Sequence, residues 1–211
     1  MMSVVLWVFC FVNVNEKQLC AEQAPNQTVS QEEQGLVIEK GQKAQVVFYS
    51  RTGRTRTVAE TIKDILDCDM LEINDLKDRS GIMGFISGMI DVRKNPTTKI
   101  SPESVNIEDY DLLFIGSPIW GMKFAPAITT FLDSTTNFKG KKVVLFVTTS
   151  SRIKQSAFNE YSEIIHKKGG EVIGNFFVKT LWKDSNEIKE EAKEIIIENK
   201  GKWMKRVEKR E

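Results

Sequence analysis

Five short, almost uninterrupted apolar runs alternate with amphipathic segments along most of this 211-residue chain, and that alternation restricts its fold more than any other feature. "KAQVVFYS" (43–50), "DMLEIND" (69–75), "YDLLFIGSPIW" (110–120), "KKVVLFVTTS" (141–150) and "EVIGNFFVKT" (171–180) read as strands. Between them apolar residues recur at helical spacing: Val58, Ile62, Ile65 and Leu66; Phe124, Ile128, Phe131 and Leu132; Ala157, Tyr161, Ile164 and Ile165; and Ile188, Ala192, Ile195 and Ile196. Asp184 and Glu187 are placed as a capping pair before the last of these. Strands apolar on both faces, each followed by a helix, imply an α/β fold with a doubly wound five-stranded parallel sheet and helices on both faces. The natural strand order for such a sheet is 2-1-3-4-5, with a ligand beyond the carboxyl ends of strands one and three.

Those two ends are "SRTGRT" (50–55) and "SPIW" (117–120). A turn entering a helix offers free backbone N–H groups at the positive end of the helix dipole, and the hydroxyls of Ser50, Thr52 and Thr55 add donors. Gly53 lets the chain curl tightly there, so the turn is suited to a phosphate; the alternative is that the hydroxyls only cap the helix. The Walker pattern of nucleotide-hydrolysing loops is absent. After the third strand, Ser117 with Gly116 and Gly121 lies near the same crevice, and Trp120 offers a flat π-face or else closes the sheet as a core aromatic. Thr148 to Ser151, after the fourth strand, supply hydroxyls and N–H groups for polar ring edges, or form a plain polar loop.

"YSRTGRT" resembles the phosphate loop T-x-T-G-x-T of flavodoxins, and "YDLLFIGSPIWGMKFAPAITTFL" is similar to that family's ring-flanking loop and helix. The resemblance spans residues 43–198 and implies a flavodoxin-like fold holding flavin mononucleotide (FMN). It carries cofactor binding to Ser50, Arg51, Thr52, Gly53, Arg54 and Thr55 for the phosphate, and to Ser117, Pro118, Ile119, Trp120 and Gly121 around the ring. Thr148, Thr149 and Ser150 would meet the ring's polar edge. No side chain need be the catalyst, since the flavin carries the redox chemistry. Two departures stand out: classical flavodoxins are strongly acidic whereas this domain is neutral, with Arg51, Arg54 and Arg56 around the turn, and "TTSSRIKQ" has no second stacking aromatic. The expected function is electron transfer with a redox partner protein or an NAD(P)H-linked reductase. Two readings stand beside it: a small FMN-dependent NAD(P)H or quinone reductase, and a non-redox ligand-binding module of the same fold.

Charge and composition bound the rest. Thirty Lys and Arg against 29 Asp and Glu give a formal charge of +1, with no basic footprint for nucleic acid in the domain. Three expected segments follow: an apolar leader with polar linker (1–42), the domain (43–198) and a basic tail (199–211). "VVLWVFCFV" (4–12) is too short to span a bilayer, and is the expected place of any membrane contact. A cytoplasmic location is favoured, with export or tethering as the alternative if residues 1–21 act as a signal. Cys10, Cys20 and Cys68 form no disulfide framework or zinc pattern, and His166 reads as an exposed residue at a helix end. In "KDRSGIMGFISGMIDVRKNP" (77–96), Ile82, Phe85, Ile86, Met89 and Ile90 predict a core-facing helix, a lid or partner surface being the alternative.

Overall fold

The alternation is realised as β1 (Ala44–Phe48), α1 (Arg54–Leu66), β2 (Asp69–Glu72), β3 (Asn74–Asp75), α2 (Gly81–Lys94), β4 (Ile100–Ser101) and β5 (Leu112–Trp120). These are followed by β6 (Lys123–Phe124), α3 (Pro126–Ser134), β7 (Lys142–Thr149), α4 (Ser156–Lys167), β8 (Glu171–Lys179) and α5 (Ser185–Trp203). The structure, a computed structural model, describes residues 43–94, 96–151 and 153–204. The expectations for the leader and linker, and for the tail beyond residue 204, lie outside the described residues.

The main sheet runs β2-β1-β5-β7-β8, all parallel, which is the 2-1-3-4-5 order. Its central strands are buried on both faces, as their unbroken apolar sequences require. Val46, Phe48, Leu112, Phe114, Val144 and Phe146 face one core with α1 and α5. Val47, Leu113, Ile115, Leu145 and Val147, one residue out of phase, face the other. Two short additions modify the plan: β6 folds back antiparallel on the end of β5, and β3 pairs antiparallel with β4 beside the sheet.

α5 begins at the expected capping box, where the Glu187 amide donates to Asp184 Oδ1 at 2.9 Å and the Asp184 amide to Glu187 Oε2 at 2.8 Å. It runs past the expected domain end at residue 198, because Trp203 is buried and stacks on Phe176 with centroids 5.6 Å apart. The first residues of the basic tail are therefore part of the domain. His166 lies exposed near the end of α4, as expected, and its Nε2 accepts from the Val172 amide at 3.3 Å. Cys68 is buried, and burial pushes its thiol up to about 12, so it stays protonated at neutral pH.

The core reading of α2 holds for Met89, which is half-buried against the core, and is overturned for Ile82, Phe85, Ile86 and Ile90. Gly84, Gly88 and Val92 face inward, whereas Ile82, Met83, Phe85, Ile86 and Ile90 are exposed. The cause is close approach. A Cβ at Gly84 would stand 2.2 Å from the Arg79 carbonyl carbon, and one at Gly88 would stand 2.7 Å from Trp120 Cζ3. Only hydrogen fits at those two positions, so most of the large apolar residues of the same periodic pattern are turned outward.

Candidate functional site

β1 delivers the chain to the turn at the carboxyl edge of the sheet, where Gly53 is the N-cap of α1 at φ +85°. That left-handed backbone favours glycine at this position. No protein atom lies within 4 Å of where its Cβ would be, so the backbone angle and not crowding by the protein sets the requirement. The Gly53 carbonyl accepts from the Thr57 amide at 2.9 Å, closing the first helical turn. α1 has neither a side-chain cap nor an acidic residue in its first turn. Its first amides are thus left to an external acceptor, with no internal carboxylate competing for the dipole.

Ser50 Oγ is buried and has no hydrogen-bond partner, an unusual state for a hydroxyl at a strand end. Thr52 is exposed. Thr55 points elsewhere than expected: its Oγ1 lies 2.8 Å from Thr148 Oγ1, joining α1 to the end of β7. Either hydroxyl can donate in that pair, and the one that accepts keeps its own proton for a further partner.

The arginines separate in role. Arg56 turns away to a bidentate pair with Glu72, the shortest contact being 2.7 Å. Arg54 donates to the Thr180 carbonyl, tying the turn to the segment after β8. Arg51 lies over the Phe85 ring, 5.3 Å from its centroid. Among the described residues neither Arg51 nor Arg54 has a carboxylate partner, so two unneutralised cations stand at the turn.

A cleft of about 350 Å³ opens here, bounded by the turn, by Pro118 to Trp120 at the end of β5, and by Thr148 to Ser150 at the end of β7. Ten of the fourteen expected positions line this cleft; Ser50 and Gly53 belong to the turn beside it, and Ser117 and Gly121 do not line it. Ser117 is wholly buried: its hydroxyl donates to the Pro118 carbonyl at 2.9 Å and accepts from the Ala125 amide at 2.8 Å, locking the β5–β6 hairpin. Gly121, at φ +55°, makes the hairpin turn. Gly116 packs against Phe146, where a Cβ would stand 2.1 Å from the ring.

Trp120 reaches the cleft from within the core, at 4% exposure. Tyr49 meets it edge-on at 5.9 Å, the Arg79 guanidinium lies 5.9 Å from its centroid, and Gly88 packs on the ring. The expected free π-face is therefore largely covered here by α2 and Arg79. Arg79 is itself buried and pairs with Asp75 at 2.8 Å and with Asp91. Asp91 also accepts from Lys77 at 2.7 Å; that bond chiefly, with Arg79 adding against the opposing effect of burial, holds its carboxyl below the usual range. Burial, with Asp75 adding, pushes the Tyr49 phenol up to about 12, which keeps it neutral.

Two lining residues escaped the sequence reading. Thr180 follows the fifth strand at the same edge, where the rule for ligands at carboxyl ends could have found it. Phe85 had no such signal, its spacing being that of a core residue. Among the described residues there is no cluster of metal-binding side chains, and no helix long and apolar enough to cross a membrane.

Solved structures share this architecture. The flavoprotein from Lactobacillus acidophilus NCFM, determined in complex with FMN, is 26% identical, with 64% of this chain and 93% of that chain covered and a TM-score of 0.55. A putative flavoprotein from Bacteroides uniformis is 22% identical, covering 75% and 99% with a TM-score of 0.59. At 12% identity, general stress protein 14 from Treponema denticola, in complex with FMN, shares the fold over 76% and 99% with a TM-score of 0.53. No curated protein matches the chain at a significant level. The flavodoxin family profile matches residues 43–187, and with the strand order already described, the chain belongs to the flavodoxin family.

Proposed function

We propose that this protein binds FMN in the cleft at the ends of β1, β5 and β7 and uses it to transfer electrons. The observation that carries the reading is Ser50 Oγ, a buried hydroxyl without a partner beside the uncapped, acid-free start of α1. A phosphate seated there satisfies that hydroxyl and the free amides together, and Arg51 and Arg54 add positive charge nearby. Membership of the family, and a relative at 26% identity solved with FMN, support the same ligand. When bound, FMN supplies the redox-active ring. Pro118, Ile119, Thr148, Thr149 and Ser150 line the space available to it, and Trp120 borders that space from below.

The test is a comparison of flavins. FMN is expected to bind the purified full chain orders of magnitude more tightly than riboflavin, which lacks the phosphate; equal affinities would overturn the assignment. Electron transfer is checked separately, by reduction of the bound flavin with a ferredoxin- or flavodoxin-type reductase. Arg51 and Arg54, cationic and unpaired with carboxylates at the cleft, favour one second reading, an NAD(P)H-dependent reductase whose nucleotide phosphates they would meet. Rapid, saturable bleaching of the flavin by NADH or NADPH alone would select that reading over the carrier.

A further inference from the structure

The solvent side of α2 is apolar: Ile82 is 79% exposed, Met83 76%, Ile90 48%, Ile86 44% and Phe85 42%. From Gly81 to Ile90 the helix carries no charged residue, and Asp91 is turned to Lys77 and Arg79. A row of large apolar side chains in water is unfavourable unless something covers it. The glycines inside prevent relief by rotation, because any larger group on the inner side would collide with Arg79 or Trp120.

The pattern around Ile86 is nearly symmetrical. Ile82 and Ile90 lie four residues to either side on the exposed face, and the exposed Asp78, just before the helix, and Lys94, at its end, lie eight, so an acid stands near one end and a base at the other. Asp78 is exposed, its carboxylate accepting from the Ser80 amide at 2.8 Å. Arg93 and Lys94 are exposed at the far end, without a carboxylate partner among the described residues.

We infer that α2 is a self-complementary interface through which two copies of this chain pair antiparallel, about a two-fold axis at Ile86. In that arrangement Ile82 packs near the partner's Ile90, Ile86 near the partner's Ile86, and Asp78 approaches the partner's Lys94 and the partner's Arg93. The two helix dipoles oppose, and the contact repeats itself across the axis as a closed dimer requires. An anionic bilayer would be attracted to Arg93 and Lys94 but repelled by Asp78, whereas a second copy uses both ends. Phe85 belongs to this face and also lines the cleft, so the second copy borders the site beside Arg51.

Sedimentation equilibrium of the full chain with FMN present tests the inference. A dimer is expected at protein concentrations up to about 100 μM, in the range of weak specific interfaces. Ile86→Asp sets two carboxylates against each other on the axis and is expected to weaken pairing at least ~100-fold, since facing like charges oppose association strongly. The site is exposed, so the circular dichroism spectrum and melting temperature are expected to survive the change. Lys94→Asp should weaken pairing and addition of Asp78→Lys should restore it, while Ile86→Cys under mild oxidation should give a dimer linked through that position. A wild-type monomer at the highest concentration overturns the inference. So does a dimer that Ile86→Asp leaves intact, which would place the contact elsewhere. A monomer that floats with phosphatidylcholine–phosphatidylglycerol vesicles until Ile86→Asp is introduced would assign the face to lipid instead.

Discussion

The hydroxyls of Thr55 and Thr148 lie 2.8 Å apart and both residues are buried, so the first turn of α1 and the last residues of β7 share one hydrogen bond. Replacing either residue by Val strands the other hydroxyl, at an expected loss of about 1–3 kcal/mol. With both replaced nothing polar is left over, and the double variant should lose less than the sum of the singles. Urea unfolding of the three variants without flavin measures the difference; strict additivity would mean that the two hydroxyls do not interact.

Ser50→Ala should move affinity and stability in different directions. The buried hydroxyl has no internal partner, so its removal should leave the flavin-free protein as stable as before or slightly more so. FMN affinity should fall by about 1.5–3 kcal/mol, the usual worth of a hydrogen bond to a charged group, while riboflavin affinity hardly changes. Calorimetric titration with the two flavins, alongside thermal melts, provides both readouts. A hydroxyl that serves only the fold would instead lower stability and affect both flavins alike.

Gly88→Ala tests the packing of α2 on Trp120. The added methyl would stand 2.7 Å from Trp120 Cζ3. Overpacking of this kind destabilises by about 1–3 kcal/mol, against a helix-propensity gain of up to ~1 kcal/mol. A net loss of stability and a shift in tryptophan emission are expected. Gly201→Ala, with no neighbour within 4 Å of the new atom, is the control that should show the propensity gain alone.

Acid should loosen the Asp91 cluster. Because the Lys77 hydrogen bond chiefly holds the folded carboxyl below its unfolded value, the group stabilises the fold above the unfolded pKa, about 4. That contribution is lost as the pH falls from there through the lower folded pKa. Asp91→Asn should destabilise the protein at pH 7 by weakening a buried pair, and should flatten this part of the acid limb. Melting temperatures measured from neutral to strongly acid pH check both effects.

The sheet was legible because parallel strands covered on both faces leave unbroken apolar runs, such as Leu112 to Ile115 and Val143 to Val147. Its order needed the further assumption that five such strands adopt the commonest winding. Pattern failed at α2 because periodicity locates an apolar face without saying which way it points, and Gly84 and Gly88 hold the inner side by being small. At the site, residue type brought the turn and the strand ends to one edge of the sheet beside a cleft, but did not place individual hydroxyls. Ser117 and Thr55 look alike in sequence as donors, yet one locks a hairpin and the other meets Thr148. Trp203 shows the opposite limit: a basic composition concealed a residue that completes the core behind β8.

α2 owes little of its attachment to oil-like contacts, since its fully buried positions are Gly84, Gly88 and Val92, while the Lys77, Arg79, Asp75 and Asp91 pairs hold the chain at both of its ends. Lifting it within one protein molecule would hydrate chiefly the Trp120 face, Val92 and the inner side of Met89, a small part of the apolar surface the whole domain buries, and so carry a correspondingly small share of its heat-capacity change. The rest of the domain then gains and loses stability along a more strongly curved path on warming, while this helix follows a flatter one. Its amides should be among the first helical amides to exchange with deuterium on acidification, and cooling should hardly alter that rank.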